Sequence, residues 1–180
     1  MTASQEERVV LLDEEGRPCG ESARAEVHSI DTPLHLAFSC WIHDTRGQWL
    51  LTRRAEAKLT WPLAWTNTVC GHPAPGEDLE AAVRRRARDE LALDLEGVYV
   101  VLPAFRYRAQ MANGIVENEV CPVFTAVLAE AAEVHPNPTE VADWRWTTLS
   151  DLRRAVSADP RGSSPWMLAQ LSELTGPDFS

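Results

Sequence analysis

Cys70 and His72 stand two residues apart in the segment Thr66-Asn67-Thr68-Val69-Cys70-Gly71-His72-Pro73. On an extended backbone, residues i and i+2 point to the same side, so a thiol and an imidazole would face one site. Both side chains can exchange protons, and the imidazole can also bind a metal. Taken alone, the segment reads more readily as a buried structural cysteine beside a loop histidine. Glu117 and Glu119 repeat the spacing at the head of an apolar strand. Two carboxylates on one face repel unless a cation, a proton or a donor lies between them, the bland alternative being a solvated strand start.

His28 and His35 flank a short connection, and neither matches a stock zinc spacing. Singly, each reads as a satisfied polar residue, while His43 and His135 adjoin turn sequences and read as exposed. Considered together, His28, His35, His72, Glu117 and Glu119 offer three imidazoles and two carboxylates, a mixed nitrogen and oxygen set suited to Mg2+, Mn2+ or Zn2+. A third signal is basic: Arg84, Arg85, Arg86 and Arg88 cluster in one segment, and Arg53, Arg54 and Lys58 add positive charge at a strand end. Arg86 and Glu90 are four apart and share a helix face, so a salt-bridged helix explains that pair. A diphosphate-binding patch is the functional alternative.

These groups need a scaffold. Apolar residues at Leu34, Leu36, Phe38, Cys40 and Ile42 have the period of a strand, with a turn at Asp44 to Gly47 and a returning strand from Trp49 to Thr52. Trp65 to Cys70 reads as a further strand, and Glu77 to Leu93 as an amphipathic helix with an acidic first turn. Strands are expected at Tyr99 to Leu102, Phe105 to Arg108, Glu119 to Leu128 and Trp144 to Trp146, then short helices at Leu149 to Val156 and Trp166 to Leu174. The order indicates an α/β sandwich around a mixed sheet.

With 180 residues and 44% hydrophobic composition, the chain suits a single domain. A formal net charge of -10 argues against nucleic acid and anionic membrane as partners, so any anionic ligand must meet a local basic patch. Neither a leader pattern nor a membrane-spanning run is evident, so a cytoplasmic protein is expected, and a monomer is the expected working unit. Cys19, Cys40, Cys70 and Cys121 include no C-x-x-C pair and suggest no disulfide framework.

Gly71, Glu77 and Arg85, continued by Asp89 and Glu90, resemble a Nudix box. Arg86 stands where the box has a glutamate, Asp89 replaces another, and Ala92 replaces the glycine near its end, which weakens the case for ordinary Nudix pyrophosphate hydrolysis. Across nearly the whole chain, His35-Leu36-Ala37-Phe38-Ser39, Trp61-Pro62, Trp65 to Pro73, Phe105 to Arg108, Gly114 to Val120 and Ser164-Pro165-Trp166-Met167 resemble, in order, the type 1 isopentenyl-diphosphate isomerases.

The resemblance implies a single Nudix-type domain over residues 1–180, with a core of about 33–169 and a mixed β-sheet sandwiched by helices. It implies a divalent metal (Mg2+, Mn2+ or Zn2+) on His28, His35, His72, Glu117 and Glu119, and Cys70 with Glu119 as the acid–base pair, Tyr107 assisting. Trp166 would face the reacting carbons. Glu90 would hold a Mg2+ ion arriving with the isoprenoid diphosphate substrate, and Arg24, Arg54, Lys58 and Arg86 would contact the diphosphate. A Cys70 thiolate as base and a Glu119–Tyr107 acid is the preferred division of roles. Rival readings are a Nudix-type diphosphate hydrolase and a non-catalytic metal- or diphosphate-binding module.

Overall fold

The computed structural model describes residues 7–128, 132–175 and 179. Arg8–Leu12 (β1) and Pro18–Ala23 (β2) form an antiparallel hairpin that no apolar alternation announces, because β2 is exposed for most of its length. A single turn, Arg24–Val27 (α1), follows directly and delivers Arg24 and His28. The apolar run expected from Leu34 to Ile42 is two strands, His35–Leu36 (β3) and Phe38–His43 (β4), in different sheets. At the break, the Ala37 amide donates to the Val120 carbonyl at 2.9 Å.

Trp49–Arg54 (β5) returns beside β4. The strand expected from Trp65 to Cys70 is likewise divided, into Trp65–Thr66 (β6) on β5 and Val69–Gly71 (β7) on β4. Leu79–Leu91 (α2) begins two residues later than its acidic pattern suggested, because Asp78 caps it by accepting from the Ala81 amide. It ends at Ala92, which adopts φ 56° and ψ 33°. That left-handed geometry is where a glycine would rest without strain, and alanine costs about 1–2 kcal/mol there.

Glu96–Leu102 (β8), Arg106–Gln110 (β9), Val116–Val120 (β10), Val123–Val127 (β11) and Val141–Thr147 (β12) complete the strands, followed by helices Leu149–Ala158 (α3) and Pro165–Glu173 (α4). The strand expected from Glu119 to Leu128 breaks before Pro122, and its halves enter different sheets. Proline lacks the amide hydrogen that a continuous ladder would need.

One sheet runs β2-β1-β3-β10-β9, and the other runs β12-β5-β4-β11-β8 with β6 and β7 attached. Strand β4 is buried on both faces, which its alternating pattern did not show. Phe38, Cys40 and Ile42 join Val83, Ala87 and Leu91 of α2, whereas Trp41 joins Leu152, Met167 and Leu171 of α3 and α4. The second sheet is thus sandwiched by helices. Each large apolar side chain so buried contributes about 1.5–3 kcal/mol, enough to hold the strand ends that carry polar groups.

Candidate active site

Three neighbouring strands define the centre of the site. In register, Glu119 of β10 lies opposite His35 of β3 on one side and Tyr107 of β9 on the other. Glu117, two residues earlier on β10, shares that face, as alternation requires. His72 follows directly on β7, and His28 follows α1. The imidazoles of His28, His35 and His72 and the Glu119 carboxylate bring one ligand atom each within 4.8 Å of one another.

The chemistry of this cluster fits a divalent cation. His35 Nδ1 lies 2.9 Å from the Pro33 carbonyl oxygen, which can only accept, so Nδ1 carries the hydrogen and Nε2 presents a lone pair. That lone pair lies 3.4 Å from Glu119 Oε1, and His28 Nε2 and His35 Nε2 are buried without a hydrogen-bond partner. Lone pairs facing a carboxylate need positive charge between them. Burial and the neighbouring His72 push His28 down to about 3, leaving it neutral as a ligand must be. Glu117 stands slightly apart, its Oε1 4.0 Å from His28 Nε2.

The two carboxyls are driven in opposite directions. Burial, reinforced by Glu119, raises Glu117 to about 7. For Glu119, burial acts upward, but a proton on His35 Nε2, standing where a cation would, and the His72 imidazole outweigh it and hold the carboxyl well below its ordinary range. The Tyr107 hydroxyl reaches both: it is hydrogen-bonded to Glu117 and lies 2.8 Å from Glu119 Oε2. Burial, then the two carboxylates, keep that phenol protonated.

A cavity of about 500 Å³ opens in front of this cluster and is lined by Arg24, His28, Arg54, Lys58, Cys70, His72, Tyr107, Glu117, Glu119 and Trp166. Cys70 Sγ lies 3.3 Å from Ser39 Oγ and 3.2 Å from Asn67 Oδ1, and burial pushes the thiol up to about 11. Burial thus favours the protonated thiol, and the facing imidazoles favour the ionised Glu119 carboxylate. Trp166 lies tilted beside Tyr107 and meets Trp61 edge-on, with ring centroids 5.8 and 5.6 Å away, and the Arg54 guanidinium lies 5.2 Å from its ring centre. Trp65 instead packs under Arg145, 4.3 Å from its ring centre, and does not line the cavity.

Not all the basic candidates are free in front of the cavity. Arg24 is paired with Glu7, and Lys58 with Glu140. Arg54 is held by Thr60, donating to its carbonyl at 2.7 and 2.9 Å. Arg86 lies under Gly71, where an added Cβ would come within 3.1 Å of its side chain, and borders a recess shared with Arg24 and His72. It bonds Glu90 at 2.5 Å and Glu140 at 2.9 Å. Glu90 borders a crevice shared with Arg54, Lys58 and Cys70. Sequence reasoning missed Glu140, Thr60 and Glu7, which nothing in spacing marks, and assigned no part to Ser39 and Asn67, although both stand in the segments that carry the family resemblance. His43, expected to be exposed, is half-buried against Trp49 at 4.7 Å between ring centroids, while His135 is exposed. All four cysteines are free.

Among the described residues, no helix is long and apolar enough to cross a membrane. The NUDIX domain model matches residues 33–167. The isopentenyl-diphosphate Delta-isomerase of Clavibacter michiganensis subsp. michiganensis is 54% identical over 168 residues, covering 93% of this chain and 86% of that protein. The enzyme of that name from Klebsiella pneumoniae subsp. pneumoniae is 51% identical over 164 residues, covering 91% and 88%. Among solved structures, a Deinococcus radiodurans protein superimposes with TM-score 0.65 at 22% identity, covering 85% of this chain and 90% of that one. A MutT NUDIX hydrolase from Burkholderia pseudomallei does so with TM-score 0.60 at 24% identity, covering 79% and 98%. Those two likenesses establish the fold, and the sequence relatives establish the branch: the chain belongs to the NUDIX-domain proteins and, within them, to the isopentenyl-diphosphate Delta-isomerase family.

Proposed function

We propose that the protein interconverts isopentenyl and dimethylallyl diphosphates, a step of isoprenoid synthesis. The observation that carries this reading is one cavity lined by the Cys70 thiol, the Glu119 carboxylate and Trp166, with Arg24, Arg54 and Lys58 around it, burial favouring the proton on Cys70 and the imidazoles favouring charge on Glu119. The reaction adds a proton to the terminal methylene of the alkene and removes one from the carbon next to the diphosphate-bearing carbon. Atoms and charge balance without any other reactant. It needs two proton-transfer groups, one loaded and one empty, and a surface that tolerates positive charge on carbon without attacking it.

Cys70 and Glu119 fill the two roles, exchanging them when the reaction runs backward. Tyr107 donates to Glu119 and holds its carboxylate in place. Trp166 offers a π-face worth about 2 kcal/mol to a desolvated cation. Arg24, Arg54, Lys58 and Arg86 bind the diphosphate and so anchor the alkene. His28, His35, His72, Glu117 and Glu119 would hold a divalent metal (Mg2+, Mn2+ or Zn2+), which supplies positive charge beside Glu119, and Glu90 would hold the Mg2+ that accompanies the diphosphate. The working unit is a monomer.

Hydrolysis is disfavoured because Arg86 occupies a box glutamate position and itself engages Glu90. The test is incubation with isopentenyl diphosphate and Mg2+ in D2O. Deuterium on the isoprenoid carbons with the diphosphate intact is expected, and its loss in a folded Cys70→Ala variant. Release of phosphate or pyrophosphate at a comparable rate without carbon-bound deuterium refutes the isomerase reading.

A further inference from the structure

Two buried chains of hydrogen bonds end at Cys70, and groups that can act in only one way set the direction of most of their bonds. The indole of Trp41 only donates, and its Nε1 lies 2.8 Å from Gln170 Oε1. Gln170 must therefore turn its amide nitrogen the other way, where it donates to Ser39 Oγ at 2.9 Å. Cys121 Sγ, at 3.6 Å, donates to the same oxygen. With both lone pairs of Ser39 engaged, its one hydroxyl hydrogen is left for Cys70 Sγ at 3.3 Å.

The second chain runs the opposite way. Trp166 Nε1 and Ser164 Oγ each donate to Thr66 Oγ1 at 2.9 Å, and Thr66 donates to Asn67 Oδ1 at 3.1 Å. Asn67 uses its amide nitrogen on the Cys40 and Val69 carbonyls at 3.0 and 3.1 Å. Its Oδ1 therefore faces Cys70 purely as an acceptor and takes the thiol hydrogen at 3.2 Å. The sulfur has one fixed acceptor for its proton and one fixed donor for its charge. Trp41, Ser39, Asn67 and Gln170 are all 0% exposed, and Ser39 reaches the cavity wall beside Cys70. A core needing only to be filled could use apolar side chains of similar shape here, since replacing both partners of a buried hydrogen bond is often neutral.

We propose that Ser39 is a positioning residue for proton transfer at Cys70: its hydroxyl, aimed by Gln170 and Trp41, holds the negative charge that develops on the sulfur as the proton leaves or arrives. A donor fixed before the reaction stabilises such charge without reorganising. The inference rests on the isomerase reading, but not on which partner is acid, because the sulfur passes through the same charged state in both directions.

The experiment is steady-state kinetics of the full chain, under reducing conditions, on isopentenyl diphosphate. Parent protein that forms no dimethylallyl diphosphate overturns the isomerase reading and this inference together. With parent turnover established, Ser39→Ala is expected to lower kcat about 10- to 100-fold with KM within about twofold of the parent. Ser39→Cys, close in shape and a weaker donor, is expected to fall between, so that kcat ranks by donor strength. Metal content should remain that of the parent. A Ser39→Ala kcat within about twofold of the parent, or a Ser39→Cys kcat no better than that of Ser39→Ala, overturns the proposal while leaving the isomerase reading intact. If Ser39→Ala does not fold, Ser39→Cys alone decides: an unchanged kcat overturns the proposal, and a loss of about three- to tenfold at parent KM supports it.

Discussion

Replacing Arg86 by methionine retains much of the side-chain stem but removes the charge that neutralises Glu90. Arg86 and Glu90 are 5% and 7% exposed, and the guanidinium reaches Glu90 Oε1 at 2.5 and 3.1 Å and Glu140 at 2.9 Å. Removing one partner of a buried pair strands the other, which typically costs about 3–5 kcal/mol. At about 2–4 °C per kcal/mol for a chain of this size, the melting temperature should fall by about 6–20 °C. Burial already raises the Glu90 carboxyl above its ordinary value, with Arg86 the chief opposing influence, so Arg86→Met must raise it further. A folded carboxyl that titrates above its unfolded counterpart binds more protons in the native state, so stability declines as pH rises between the two values. The deficit of Arg86→Met should therefore be largest above neutral pH and shrink toward about pH 5. Thermal unfolding by circular dichroism at pH 5 and pH 8 measures this, with Arg86→Met/Glu90→Gln as the double variant of a double-mutant cycle. The double variant should be more stable than Arg86→Met alone. A single variant melting within about 2 °C of the parent at pH 8, or a double variant less stable than the single, refutes the reasoning.

Stripping divalent metal with chelator should lower the melting temperature, and re-addition at about 100 times the dissociation constant should restore about 2.7 kcal/mol, or about 5–11 °C. His28→Ala should lower metal stoichiometry and turnover together by elemental analysis and assay, and full values of both would remove His28 from the ligand set. Glu77 accepts from Arg85 at 2.7 and 2.8 Å and from the Ala74 amide at 2.8 Å, and the Arg85 bond holds its carboxyl below the usual range. A carboxyl with a lowered folded value stabilises above its unfolded value and loses that contribution as pH falls. Glu77→Gln should therefore destabilise at pH 7 by about 1 kcal/mol, discounted for partial exposure, and be indistinguishable from the parent near about pH 3 by urea titration.

The residue types and local order of the site were legible because alternation on a strand is a local property. Glu117 and Glu119 could be placed on one face, and Cys70 and His72 beside a strand end, without knowing what lay opposite. The α2 helix was equally plain, since apolar spacing and the acidic entry at Asp78 are written within a dozen residues. The hairpin of β1 and β2 was not legible, because an exposed edge strand has no buried face to impose a pattern. Nor could the runs through Ala37 and Pro122 show that their halves join different sheets, because apolar character reports burial and not the partner that provides it.

Only tertiary structure decided the electrostatics. Glu119 meets His35 and Tyr107 through pairings of strands far apart in sequence, and those contacts, with burial, separate its proton affinity from that of Glu117 two residues away. Glu140, 54 residues from Arg86, joins the basic network through a loop with no distinguishing spacing. The sequence by itself determined which residues could donate, accept or bind metal, and which face of each element they occupied. Folding determined which of them share a cavity and which hold protons, because distances and desolvation belong to the assembled chain and not to any stretch of it.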